Sequence, residues 1–360
     1  MTNRRHFLAG LVATGLVPMR GWAEVGAPDF LAAALFPDDS YRLVGLAVDG
    51  DIQFSLPLPA RGHAAAAHPS RAQAVAFARR PGTFAVVIDC AAGAEMARLK
   101  APEGRHFYGH GVFSADGSQL FTTENDYEAG TGVIGVWDTA RYTRLGEFPS
   151  GGVGPHDLRL MPDGKTLVVA NGGIETHPET GRAKLNLPVM QPSLTYLDMA
   201  GAVQEQVTLP RVLHKNSIRH LAVRADGLVA FAMQWQGGTT QHPPLLGLHR
   251  RGTAPRLLAA PEAKQSTLQG YAGSIAFAAN GQSVAITCPR GNALHQFNVA
   301  TGTLTAAIAL EDVCGIGTGP DGFVFTTGTG LVGALAATAR ISARPDCQWD
   351  NHLIPVGTCA

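Results

Sequence analysis

Five of the 13 histidines in this chain stand at one position of an internal repeat. Imidazole is the commonest side-chain ligand for transition metals, so histidines in register are the residues best placed to do chemistry. Gly109-His110 leads into Val112-Phe113, then the turn Ala115-Asp116-Gly117, then Leu120-Phe121-Thr122-Thr123. Pro155-His156 leads into Leu158 and Leu160, Pro162-Asp163-Gly164 and Leu167-Val168-Val169-Ala170. Arg219-His220 leads into Leu221 and Val223, Ala225-Asp226-Gly227 and the run from Val229 to Met233. Gly62-His63 opens a looser copy ending in Val75-Ala76-Phe77, and His352 stands just before Leu353-Ile354-Pro355-Val356. Gly273-Ser274 and Cys314-Gly315, with turns Ala279-Asn280-Gly281 and Pro320-Asp321-Gly322, keep the frame without histidine. If the rings converge, His110, His156 and His220, joined by His63 and His352, offer three or four nitrogens to an iron, copper or zinc ion. The other reading is structural, each imidazole holding a neighbouring strand by a hydrogen bond.

Two loops hold further polar groups that could serve the same face. Thr123 to Glu128 holds three carboxylates, Glu124, Asp126 and Glu128, which could bind a hard cation or serve as a general acid/base, or form a solvated hairpin loop; their spacing fits no EF-hand-type loop. A long insertion from Asn171 to Ser193 carries Glu175, His177, Lys184 and Met190, and structureless segments of that length are usually functional or act as lids. Arg159, Arg219 and Arg290 lie near strand starts, where they could hold an anion or pair with carboxylates. The five cysteines have no C-x-x-C spacing, which argues against a thiolate metal centre or attached haem. Cys347 and Cys359 flank the last strand, where an oxidising compartment would let them pair.

These residues need a scaffold that repeats. A frame recurring every ~40–50 residues, each copy two short apolar runs about a tight turn, is the pattern of a β-propeller with four strands per blade. The Asp-Gly turns fit hairpins, since glycine and Asn/Asp tolerate the positive φ they require. Anchors at 63, 110, 156, 220, 274, 315 and 352 predict an all-β fold of seven blades. The last anchor lies too near the end of the sequence for a whole blade. Strands around Tyr41–Val48 and Ile52–Leu58 are expected to complete it, so that N- and C-terminal strands close the ring and leave no open sheet edge.

Composition agrees with one propeller domain over residues 24–360. The chain has 43 glycines and 23 prolines, and only 16% of its residues are charged, which suits short strands and many turns. Formal net charge is zero without a basic run, which argues against nucleic acid as a partner. No internal stretch is long and apolar enough to span a membrane. Residues 1–23 read as a twin-arginine export signal: Arg4-Arg5 followed by Phe7-Leu8, a weakly apolar core, and small residues around Gly21-Trp22-Ala23. That places the mature chain in a bacterial periplasm.

The stretches HFYGHGVFSADGSQLFTTENDYEAGTGVIGVWD, GPHDLRLMPDGKTLVVANGGIETHPETGRAKLNL, PSLTYLD, SIRHLAVRADG and YAGSIAFAANGQSVAITCPRGN resemble the bacterial domain-of-unknown-function family 1513 across essentially the whole mature chain. The resemblance implies a periplasmic propeller of the YVTN or quinoprotein-amine-dehydrogenase type. It also implies a setting beside imelysin-type lipoproteins and di-haem proteins, hence iron or another transition metal. It supplies no catalytic residue. Three classes of function therefore stay open: metal handling, a docking scaffold with structural histidines, and an oxidoreductase or lactonase-like enzyme.

Overall fold

The computed structural model describes residues 20–79, 83–181, 183–336, 339–343 and 346–357; Arg4, Arg5 and Cys359 lie outside them. The described residues form seven antiparallel sheets arranged as a propeller ring. Blade I spans residues 62–99, blade II 105–149, blade III 155–208, blade IV 216–258, blade V 274–309 and blade VI 313–343. In each of these the first strand lies innermost; those of blades I to V pack on the first strand of the next blade, and that of blade VI meets the C-terminal segment Ile354–Pro355.

Blade VII joins the two ends of the sequence. Phe30–Leu35, Tyr41–Leu46 and Ile52–Pro57 supply three strands, and the short segments Gln348–Trp349 and Ile354–Pro355 pair with the axis-facing edge of Phe30–Leu35. Phe30 stands opposite Leu46 on one side and Pro355 on the other. The closure is as expected, with one more strand than the sequence pattern suggests. Phe30–Leu35 is a run of apolar residues, three of them alanine, without polar alternation. Both of its faces are buried, so nothing in it needs to alternate.

The core lies between neighbouring sheets. Phe77, Phe107, Phe113, Leu120 and Trp137 fill the space between blades I and II. Phe30, Val44, Leu46, Val324 and Trp349 do the same between blades VI and VII. Full burial of each such side chain contributes about 1.5–3 kcal/mol, and the closed circle repeats it at every interface.

The repeated turns differ in one detail from expectation. Gly117, Gly164, Gly227 and Gly281 take positive φ, whereas the preceding Asp116, Asp163, Asp226 and Asn280 do not. Each acid or amide instead accepts hydrogen bonds from the backbone just beyond it; Asp163 Oδ1 takes the N–H groups of Lys165 and Thr166. These are short hairpin loops, three residues long at Ala225–Gly227 and four at the other turns, with glycine alone in the left-handed position.

Ordered structure also reaches back before residue 24. Trp22 is buried, its indole N–H donates to the His68 carbonyl at 2.8 Å, and the Ala72 amide donates to the Arg20 carbonyl at 2.8 Å. No helix among the described residues is long and apolar enough to cross a membrane.

Candidate metal centre

Four of the five histidines sit where the inner strand slips out of register with its neighbour. The pairing shifts between Gly62 and Ala65, Phe107 and Gly111, Pro155 and Asp157, and Ile218 and His220. Such bulges leave residues unpaired and re-aim side chains, here toward the axis. Gly109, within the widest bulge, has φ near 104°, and a Cβ there would stand 2.6 Å from His63 Cδ2. Glycine is therefore needed beside His110, both for its backbone and to let His63 approach. His352 comes from the break between the two short segments of blade VII.

The five imidazoles meet. His110 lies within 4.9–6.0 Å, between ring centroids, of each of the other four. His156 is 4.7 Å from His220, and His352 is 4.8 Å from both His63 and His220. Blades VII, I, II, III and IV thus fill one continuous arc, while blades V and VI present Gly273-Ser274 and Cys314-Gly315. Two triplets, His63–His110–His352 and His110–His156–His220, each bring one ligand atom per residue within 4.8 Å of the others. Nitrogens bound tetrahedrally at about 2.1 Å stand about 3.4 Å apart, so either triplet needs modest ring movements to close on an ion.

Most of these nitrogens have no protein partner. His63 Nδ1, His110 Nε2, His156 Nδ1, His352 Nε2 and both nitrogens of His220 are buried without a hydrogen bond. Burial holds His63 down to about 3 and holds His156, His220 and His352 well below the ordinary range, with neighbouring positive charge adding to it. Those rings are neutral near pH 7, the form that binds metal.

Two carboxylates border the cluster. Asp157 Oδ1 lies 3.2 Å from His110 Nδ1; Asp157 Oδ2 accepts the Leu221 N–H at 3.0 Å and an Arg159 N–H at 3.3 Å. Burial works against the Asp157 charge, but Arg159 and the adjacent histidines hold its carboxyl below the usual range. Asp350 is gripped by Arg61 at 2.6 Å and Arg79 at 2.7 Å. Neither aspartate stands out in the sequence. Asp157 follows a candidate ligand and reads there as an ordinary strand residue.

The remaining candidates lie elsewhere. Glu124 is fully buried within blade II, where Arg144 grips it through two bonds of 2.8 and 2.9 Å and Thr122 donates to it. Asp126 faces Arg105 at 3.4 Å in the same ion network. The insertion leaves the sheet beside His156, since Asn171 pairs with Pro155. It is held across two neighbouring blades: Asn125 of blade II donates to the Thr176 carbonyl, and Ser217 of blade IV donates to the Gly172 carbonyl. Within it Asn186 accepts from the Glu175 N–H, and Met190 is buried. His177 rests against Tyr127 and Glu128 of blade II. Arg159 pairs with Asp157, Arg290 lies over the Tyr271 ring, and Arg219 adds positive charge beside His156. Cys347 is buried.

No curated protein is similar enough in sequence to count as a relative. Among solved structures, hydrazine synthase from Kuenenia stuttgartiensis superposes with a TM-score of 0.59 at 16% identity. The match covers 85% of this chain and 90% of that one. Identity that low speaks for the propeller fold alone. The model of the family described as "Protein of unknown function (DUF1513)" matches residues 56–356, from the last strand of blade VII's N-terminal part through all six other blades to its C-terminal segments, and the chain belongs to that family.

Proposed function

We propose that this protein is an exported metal-handling propeller that takes up iron, copper or zinc at the histidine cluster on its axis. One observation carries the reading: six buried imidazole nitrogens, drawn from five blades, converge without protein partners. A buried polar atom left unsatisfied costs about 1–3 kcal/mol, a heavy cumulative load against a net stability of about 5–15 kcal/mol. A structural role for the rings predicts the reverse, each nitrogen bonded within its own blade. An ion bound by three neutral imidazoles satisfies several of those nitrogens at once. The paired Arg4-Arg5 supports export to the periplasm, and the family resemblance supports a place beside an imelysin-type lipoprotein or a di-haem protein.

Elemental analysis of protein purified from the periplasm of an export-competent bacterium tests the reading. Metal near stoichiometric amounts is expected, falling more than tenfold in the His110→Ala/His156→Ala/His220→Ala triple variant while circular dichroism is unchanged. Full metal content in that variant, or none in the parent, overturns it.

A further inference from the structure

We propose that the cluster holds one metal ion at a time in either of two alternative seats, and that His110, positioned by Asp157, is the ligand common to both. This rests on the metal-handling reading and goes beyond it in number and mechanism. The two triplets share His110 and nothing else. It is also the ring nearest the geometric hub, in contact with each of the other four.

His110 has only one nitrogen to give. Its Nδ1 faces Asp157 Oδ1 at 3.2 Å, with side-chain exposures of 3% and 2%. A carboxylate oxygen accepts, so the Nδ1 carries the proton and the lone pair sits on Nε2, which is buried and without a protein partner. A single lone pair binds a single ion. Bridging two ions would require Nδ1 to lose its proton and to turn away from Asp157. Asp157 in turn cannot swing freely, because its second oxygen holds the Leu221 N–H and the Arg159 guanidinium. His63 and His352 then form one flank of the seat and His156 and His220 the other, so an ion can pass between flanks without releasing His110.

The test is titration of metal-free, folded protein with cobalt chloride, read by the visible d–d bands and by bound cobalt after desalting. The parent should saturate at one equivalent. His63→Ala and His156→Ala should each still bind one equivalent, with distinct spectra, because one triplet survives in each. His110→Ala should lose binding by more than a hundredfold, and His110→Gln, which keeps a polar group against Asp157, should do the same if the alanine variant folds poorly. Asp157→Asn should weaken binding by about 10–100-fold and shift the cobalt spectrum, as loss of an orienting carboxylate does. Two equivalents in the parent, an unweakened His110 variant, or an Asp157→Asn protein with parental affinity and spectrum would overturn this inference while leaving metal binding standing. No cobalt in the parent would remove the metal-handling reading and this inference with it.

Discussion

At the scale of single residues, the histidine cluster trades fold stability for open nitrogens. Both nitrogens of His220 are buried and unbonded, so an apolar residue of similar size should suit the metal-free fold at least as well. In metal-free protein, His220→Leu is expected to melt at the parental temperature or a few degrees higher, while cobalt uptake weakens. Destabilisation beyond about 1 kcal/mol would reveal structural partners for that ring. Glu124 should behave in the opposite way. Its fully buried carboxylate is the two-pronged partner of Arg144, so Glu124→Ala should cost about 3 kcal/mol in urea denaturation and leave metal content unchanged. The contrast shows how far sequence reaches at this scale. Register in a repeat exposes His63, His110, His156, His220 and His352 as a set. The same register says nothing of whether Glu124 turns to the axis or into its own blade. Nor does it mark Asp157, whose part depends on a partner 47 positions earlier, His110, brought close only by the ring.

Elements explain why the cluster exists. Four inner strands break register at their histidines, and a bulge of this kind leaves little trace in sequence beyond a glycine such as Gly109. The hairpin turns, by contrast, were legible from Asp-Gly alone, because few residues accept a left-handed backbone. The strand Phe30–Leu35 was not, since an alanine-rich run with both faces buried carries no alternation to read. The segment just before it yields two expectations. Trp22 fills a slot against blade I, so Trp22→Ala should lower stability by about 3 kcal/mol, and purified protein beginning at Glu24 should lose about as much relative to protein beginning at Arg20. The residue receiving that indole bond, His68, accepts the backbone N–H groups of Ser70 and Arg71 on Nδ1. Burial, then the charge of Arg71, lowers His68 to about 4 from an ordinary 6.5. The unfolded chain therefore binds the proton first, and this residue's contribution to stability is intact above about pH 6.5 and is lost progressively as pH falls toward 4. Comparing denaturation midpoints at pH 7 and pH 4.5 in parent and His68→Asn should show a smaller acid loss in the variant; an equal loss would assign the effect to other groups.

For the whole molecule, seven blades were countable because each copy repeats the same anchor, while the closing blade had to be inferred from what the last copy lacked. Closure is also where the molecule is most exposed to failure. A chain ending at residue 345 would leave Phe30–Leu35 as a bare apolar edge, and such edges recruit other chains. Sedimentation of that truncation is expected to show aggregates rather than a monomer with a cooperative melt. The pairing of Phe30–Leu35 with Gln348–Trp349 and Ile354–Pro355 further sets a clock on synthesis. Paired with Tyr41–Leu46 on one side, that early strand keeps its other edge open until nearly the whole chain has left the ribosome, and such long-range pairing is slow to form. His352 arrives in the same closing segment, so the fifth imidazole enters the cluster in the event that seals the circle. A stalled or clipped chain can thus fold several blades and still never assemble the full set of rings. Only a molecule translated to its last strand offers the complete cluster.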